Sequence, residues 1–353
     1  SPSQEESLTK MLETHRRLYN NALEQRKVAY ETEGITISYS KQSAWMKELR
    51  REDPYLAETN FSSCQATLRR LDRAFTAFFR RIKNGEKPGY PRFKGRNRFD
   101  TVIFPAYGDG CKLKGSKVYF QHVGDVKIKL HRPVEGKIKT VSFKHEIDKW
   151  YVIFVCELPN VEVKPSTLPS IGIDLGLKSF LVTSDGCSVD PPHFFRDAQV
   201  KLRRKQRHLS RCKRGSNRRK KAVNEVAKLH KHISNQRNDF HHKLSRHLVN
   251  SYGLIAHEDL NVKGLSRTML SKSVHDVGWG SFLNKLQYKA EEAGIAIVKV
   301  DPRNTTQMCS QCGHIPEEKL TLADRVYTCE KCGLILDRDH NAALNILRLG
   351  LSL

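Results

Sequence analysis

Cys309-Ser-Gln-Cys312 and Cys329-Glu-Lys-Cys332, sixteen residues apart, constrain this chain more than any other stretch of it. Each pair brings two sulfurs onto one tight knuckle, and two knuckles close a tetrahedron around a structural zinc ion. Gly313 and Gly333 follow the second cysteine of each pair, where a knuckle needs a residue free to turn back. Four residues past the second pair begins Asp337-Arg-Asp339-His-Asn341-Ala-Ala-Leu-Asn345-Ile346. An acidic stretch beside a rigid, metal-closed turn is a candidate for hard-metal chemistry.

The chain has 353 residues, enough for two or three domains and a sizeable core. It begins at Ser1, so an N-terminal piece is expected to be missing. Its net charge is 62 − 38 = +24, which points to a polyanion, most often nucleic acid, as partner. Of its nine cysteines, the five outside the zinc pairs (Cys64, Cys111, Cys156, Cys187 and Cys212) are scattered and odd in number. That argues against a disulfide framework and for a reducing compartment, the cytoplasm. There is no signal-peptide pattern and no long apolar run, so no membrane span is expected.

Residues 1–84 read as a helical domain. Leu8, Met11, Leu12, Leu18, Tyr19, Ala22 and Leu23 recur at helical spacing. A short helix carries Trp45, Met46 and Leu49 and is broken by Pro54. A further helix places Leu68, Leu71, Phe75, Phe78 and Phe79 on one face. Its arginines form either an ordinary solvated face or phosphate contacts. Residues 85–165 open with a Pro/Gly-rich segment in which Lys87, Tyr90, Arg92 and Lys94 interleave charge and aromatic surface, suited to a nucleic-acid backbone and its bases. Strand patterns follow at 117–120, 126–130, 137–143 and 150–158, as in a small β-barrel or curled sheet, with the helical segment inserted near its start.

Pro165 to Pro169 reads as a linker, and residues 166–305 as an α/β domain. Ile171-Gly-Ile-Asp174-Leu-Gly176 starts a β-hairpin, although an aspartate there also fits a simple turn cap. A basic insertion at 195–250 holds two helices around Gly215. Between Lys201 and Arg246 it has seventeen Lys or Arg against Glu225 and Asp239. Arg203, Arg204, Lys205, Arg207 and Arg211 belong to this ridge, which suits a phosphate backbone. Its five histidines lack metal-ligand spacing and read as surface or core residues. Leu254 to Leu260 is a strand ending in acids, 280–294 a helix, and Ile295 to Val300 a buried strand. The zinc ribbon occupies 306–335 and a closing helix 336–353.

An acid thus stands at Asp174, at Glu258, and at Asp337 or Asp339. This order resembles the RNase H-like fold of RuvC-type nucleases, a mixed sheet with acids on its first strand, on a later strand and on the closing helix. Such a cluster suits two magnesium ions roughly 4 Å apart. Asp337 and Asp339 would point roughly 200° apart on a helix, so one of them reaches the metals. Asp339 is favoured, because Ala342 and Ala343 share its face and let the helix approach the sheet. Asp337 then caps the helix or faces solvent.

Taken together, Gly172-Ile-Asp174-Leu-Gly176, His257-Glu258-Asp-Leu-Asn-Val-Lys-Gly264, Gly278-Trp-Gly280, the two cysteine pairs and Asp337-Arg-Asp339-His-Asn341-Ala-Ala-Leu-Asn345-Ile346 resemble the TnpB (OrfB) proteins of bacterial insertion sequences. Those proteins are relatives of the compact type V CRISPR effectors. Ala74-Phe75-Thr-Ala-Phe78-Phe79 and Tyr90-Pro-Arg-Phe-Lys94 add upstream matches. The resemblance implies a β-barrel wedge domain with an inserted helical recognition domain, then a RuvC domain holding a zinc ribbon. It implies a guide RNA from the element's own end, and magnesium-dependent cleavage of double-stranded DNA beside a short adjacent motif. It places motif reading on the stretch that contains Tyr39, Ser62, Ser63 and Gln65. A first strand ahead of Pro2 is expected and absent. The setting is the cytoplasm of a bacterial or archaeal host, with one protein copy the simplest assembly. The competing readings are a DNA transposase using the same acids and an RNA-guided repressor that binds without cutting.

Overall fold

Leu8, Met11, Leu12, Leu18, Tyr19, Ala22 and Leu23 form the buried face of α1 (Pro2–Glu33) in the computed structural model of this chain. The structure describes every residue except Asn97, Lys164, Pro165, Leu322 and Ala323, and the side chain of Lys263. The start of the expected linker, at Pro165, and Lys263 of the His257–Gly264 motif therefore lie outside the described residues. The chain divides into two compact units, Ser1–Pro159 and Asn160–Leu353.

In the first unit α1 is opened by a capping box between Ser1 and Gln4 and closed by Gly34 at φ 67°. Next come α2 (Tyr39–Glu52), α3 (Pro54–Ala57) and α4 (Phe61–Lys83). Pro54 stands at the first position of α3, where its missing N–H costs nothing, and Asp53 caps the same turn. His15 of α1 is fully buried, bonded to Met11 O at 2.7 Å and to Ser63 Oγ at 2.9 Å. Burial pulls its pKa down to about 4. Leu68, Leu71 and Phe75 are buried as expected, but Phe79 is 55 % exposed. The end of α4 runs past the core, and Phe75, Phe78 and Phe79 instead cluster with Tyr90 at ring separations of 5.2–6.3 Å.

The strands of this unit are β1 (Thr101–Phe104), β2 (Cys111–Lys114), β3 (Lys117–Phe120), β4 (Gly124–Lys127), β5 (Lys137–Glu146) and β6 (Lys149–Glu157). They form two antiparallel three-stranded sheets, β1-β5-β6 and β2-β3-β4, where the sequence reads as a small β-barrel or curled sheet. Phe104, Phe120 and Phe143 pack between the two sheets at 5.3–6.4 Å. Closure requires every edge strand to pair. The stretch between β4 and β5, with Pro133 and Gly136 (φ 76°), contains no strand that could join them. Asn60, the cap of α4, donates to Asp109 Oδ1 at 2.9 Å and Gln121 Oε1 at 3.0 Å, which ties the helices to the second sheet.

The second unit is built on β7 (Ser170–Asp174), β8 (Leu181–Thr183) and β9 (Ser188–Val189), an antiparallel meander. The helices α5 (Phe194–Arg211) and α6 (Asn217–Ser251) follow, joined through Gly215 at φ 83°. Then come β10 (Leu254–Glu258), α7 (Val262–Leu265), α8 (Ser271–Val277), α9 (Trp279–Ala293), β11 (Ala296–Val300), β12 (Val326–Thr328), β13 (Ile335–Asp337) and α10 (Arg338–Leu351). The mixed sheet has the order β11-β10-β7-β8-β9, with β10 parallel to both β7 and β11. β11 is an edge strand in which only Val300 is buried, so the expectation of a buried strand at 295–300 is corrected. Ala296, Ile297 and Val298 are half-buried and Lys299 is exposed.

Phe180, Phe282, Leu286 and Ala290 fill the core on one face of this sheet. On the other face α10 lies very close. A Cβ on Gly172 would sit 2.2 Å from Ala343 O, and one on Gly350 would sit 2.4 Å from Ala256 Cβ. Of the histidines in the basic pair of helices, His241 is fully buried, beside Phe180 and Phe282, and bonds Val277 O at 2.8 Å. His208, His230, His232 and His242 are exposed.

Candidate active site and metal centre

Asp174 ends β7, and Glu258 ends the neighbouring parallel strand β10. The register pairs His257 with Ile173, so the two acids follow at the same level, at the carboxyl ends of adjacent strands. That end of a parallel array is where ligands are usually received. Asp337 caps α10, its carboxylate accepting from the N–H groups of Asp339 (2.9 Å) and His340 (3.1 Å). Asp339 is the second residue of that helix, within its first turn, and its carboxylate is partly buried. Asp337 is thus occupied as the helix cap, while Asp339 carries the charge felt at Asp174.

Burial, then the charges of Glu258 and Asp339, push Asp174 up to about 8, against the opposing pull of Arg338. Burial also raises Glu258, while the Thr305 hydroxyl that donates to it works the other way. The three acids are thus near enough to feel one another. Among the described residues, the group of three or more metal-type ligand atoms all drawn within 4.8 Å of one another is the cysteine quartet, so the carboxylates stand more widely spaced. An all-oxygen set of mutually repelling, desolvated acids fits hard divalent ions. Arg338 is the neighbouring cation. It donates to Asp339 Oδ1 at 2.9 and 3.2 Å and to Thr321 O at 3.1 Å.

The cysteines form two knuckles of the same design. The N–H of Gly313 bonds Cys309 O and that of Gly333 bonds Cys329 O, both at 2.9 Å, and both glycines have φ 74°. The Sγ atoms of Cys309 and Cys332 are 3.6 Å apart, and those of Cys312 and Cys329 are 3.5 Å apart. A tetrahedron of sulfurs about 2.3 Å from zinc has edges of about 3.8 Å, so the quartet fits that ion closely. Asn341 of α10 accepts from Ser310 N at 2.9 Å and donates to Met308 O at 2.8 Å, which seats the first knuckle on the helix that carries Asp339.

The candidate nucleic-acid residues separate into two groups. Arg203, Arg204, Arg207 and Arg211 are exposed on α5, while Lys205 pairs with Glu225 at 2.6 Å. Lys87 and Arg92 are exposed, and Tyr90 is half-exposed in the aromatic cluster. Lys94 anchors its segment to α1, since its carbonyl accepts from Arg16 at 2.8 Å and Asn20 at 3.0 Å. Burial, then Arg70 and Arg98, lower the pKa of its ammonium. Of the proposed motif readers, Ser63 is fully buried and bonded to His15, so it has no surface to offer a base. Ser62 donates to Asp109, Gln65 donates to Ser43 Oγ at 3.2 Å, and Tyr39 lies under the Arg69 guanidinium at 5.3 Å.

Sequence reasoning passed over Thr305, Arg338, Asn341 and Asn345, all of which surround the acids or the knuckles. It also missed Asp276, a buried acid that accepts from the N–H groups of Phe195 and Arg196 and so caps α5 from α8. The repeated Asn at positions 341 and 345, one helical turn apart, was the available sign of a polar face.

Residues 153–269 match a family described as "Probable transposase", 279–346 match a Cas12f1-like TNB domain, and 1–34 match a helix-turn-helix domain, although here 2–33 is one uninterrupted helix. A protein of Escherichia coli (strain K12) provisionally named RNA-guided DNA endonuclease InsQ is 30 % identical, across 94 % of this chain and 86 % of its own length. A Streptomyces pristinaespiralis protein with the same provisional description is 32 % identical, across 96 % and 84 %. The CRISPR-associated endodeoxyribonuclease Cas12f1 of Sulfoacidibacillus thermotolerans is 35 % identical over 38 % of this chain and 32 % of its own. Among solved structures, Cas12f1 in a complex with its single-guide RNA and target DNA superimposes with a TM-score of 0.62. It is 19 % identical, covering 97 % of this chain and 82 % of that one.

Proposed function

The chain belongs to the TnpB (OrfB) family of RNA-guided DNA endonucleases, and on that premise we propose that it is a magnesium-dependent, RuvC-type nuclease with Asp174, Glu258 and Asp339 as its metal-binding acids. The observation that carries this reading is the convergence of two strand-end acids and one helix acid, with Asp174 raised to about 8 by burial and by the other two. Bound among these acids, two magnesium ions would supply an activated water on one side of the scissile phosphate and a partner for the leaving oxygen on the other. A pair of ions about 4 Å apart also suits acids spread more widely than a single ion's shell.

The chain's own residues set the geometry. Sheet hydrogen bonds hold Asp174 and Glu258 at one level, and the close seating of α10 on Gly172 brings Asp339 to them. Arg338 offsets part of the negative charge and provides a planar donor suited to a phosphate. The cysteine quartet would hold a structural zinc ion, which would stiffen the segment gripped by Asn341.

Sequence choice falls to a bound guide RNA. The exposed arginines of α5 suit phosphates, and phosphate contacts carry no sequence information. Base pairing with RNA supplies the long recognition, leaving the protein a short adjacent duplex to read. We assign the protein to the cytoplasm of its host. The test is to replace the guide segment of the copurified RNA and assay plasmids bearing the old and the new targets. Cleavage should move to the new target. Cleavage that stays at the old site, or proceeds equally without RNA, would sink this reading and favour strand transfer by a transposase.

A further inference from the structure

Thr305 lies between β11 and the first cysteine pair and is 1 % exposed. Its hydroxyl has one proton and two acceptors in reach, the Glu258 carboxylate and Pro302 O at 3.0 Å. The charged acceptor makes the stronger bond. β10 fixes only the Cα of Glu258. The three side-chain torsions beyond it need a partner to be fixed, and among the described residues Thr305 is the side chain bonded to that carboxylate.

Thr305 is itself held. The Asn345 amide spends both of its N–H groups on this segment, one on Thr305 O at 2.9 Å and one on Met308 O at 2.6 Å. Its Oδ1 is buried without a partner, and a flipped amide would aim that oxygen at two carbonyls. Asn304, just before Thr305, has left-handed backbone at φ 60°, a conformation asparagine tolerates better than most residues. Asn341 grips the same segment at Met308 O and Ser310 N. One face of α10 therefore clamps residues 304–310 from the cysteine side, while Thr305 reaches Glu258 from the other.

We propose that Thr305 is a positioning residue for Glu258. Its hydroxyl commits Oε1 and leaves Oε2 for an incoming divalent ion, and its own placement is set by the α10 clamp that seats the first cysteine knuckle. This rests on the reading of Glu258 as a metal-binding acid. Partners behind a metal ligand set its orientation, and their loss typically weakens metal binding by about 10–100-fold.

The experiment is a Mn²⁺ titration of the full-length, RNA-free chain by electron paramagnetic resonance, alongside the Mn²⁺ dependence of cleavage by the RNA-bound complex. Thr305→Val should weaken Mn²⁺ binding about tenfold and raise the half-maximal Mn²⁺ for cleavage about as much. Zinc content and guide-RNA affinity should stay unchanged, and Thr305→Ser should restore wild-type behaviour. In a Glu258→Gln background, Thr305→Val should cause no further loss of Mn²⁺ binding. Where the valine variant does not fold, Thr305→Cys, close in size with a weaker donor, should show an intermediate loss. Wild-type Mn²⁺ binding in Thr305→Val or Thr305→Cys, a serine variant as defective as the valine, or an equal loss in the Glu258→Gln background would each overturn the proposal. Wild-type Mn²⁺ binding in Glu258→Gln alone would instead overturn the metal-site reading beneath it.

Discussion

Replacing Gly172 with alanine should disable cleavage from two residues away on the same face of the strand that carries Asp174. The new Cβ would lie 2.2 Å from Ala343 O, 2.6 Å from Leu347 N and 2.9 Å from Leu347 Cβ. Ordinary contact begins near 3.4 Å, so α10 must retreat by 3.4 − 2.2, about 1.2 Å, or β7 must bend by as much. The two shortest contacts are to helix backbone, so no rotamer change relieves them. Overpacking of this kind costs about 1–3 kcal/mol, and for a unit of this size each kcal/mol lowers the melting midpoint by about 2–4 °C. The larger effect is on activity. Asp339 rides on α10, and a misplacement of about 1 Å in a reacting group costs on the order of a hundredfold in rate. The assay is single-turnover cleavage of a matched plasmid by the RNA-bound complex, with RNA affinity measured in parallel. Cleavage should fall about a hundredfold with RNA affinity retained. Adding Leu347→Ala should not rescue it, because two of the three contacts are to backbone and alanine keeps the Cβ that makes the third. Wild-type cleavage in Gly172→Ala would refute the argument that close helix seating sets the position of Asp339.

Asp339→Ala should abolish cleavage, whereas Asp337→Ala should cost about 0.5–2 kcal/mol of stability through the lost cap and leave cleavage measurable; the reverse ranking would exchange their roles. Cys309→Ser or Cys332→Ser should lower zinc content, checked by elemental analysis, and should slow cleavage without changing its target; folded wild-type protein free of zinc would remove the idea. His15 is buried and neutral, with its pKa pulled from an ordinary 6.5 to about 4. Above pH 6.5 it contributes no pH dependence, because folded and unfolded forms are both neutral; below that the unfolded chain alone takes up a proton, so the penalty on the first unit grows as pH falls towards about 4. Histidine resonances followed by NMR between pH 7 and 4.5 should show His15 still neutral at pH 5, and a titration near 6.5 would contradict the burial argument.

Local features were legible because short range alone governs them. The two knuckles depend on cysteine spacing and on glycines with φ 74°, both set within a few residues. The cap at Asp337 depends only on its place just ahead of a helical run. The hairpin bearing Asp174 and the paired basic helices around Gly215 likewise follow from alternation, helical period and a turn residue. The family resemblance rests on the same local motifs. Ser63 reads as a surface residue in sequence, and only the packing of α1 against α4 buries it against His15, 48 positions away. Phe79 repeats the helical phase of Phe75, yet the core ends before it. Strand patterns mark β3 to β6, miss the short β1 and β2, and carry no statement of which edges meet, so two sheets and a barrel look alike until the hydrogen bonds are seen. The bond from Thr305 to Glu258 spans 47 positions, and the clamp from Asn345 to Thr305 spans 40. Periodicity and propensity report on neighbours within a turn or a strand, whereas partners so far apart meet only once the whole sheet and its closing helix have packed.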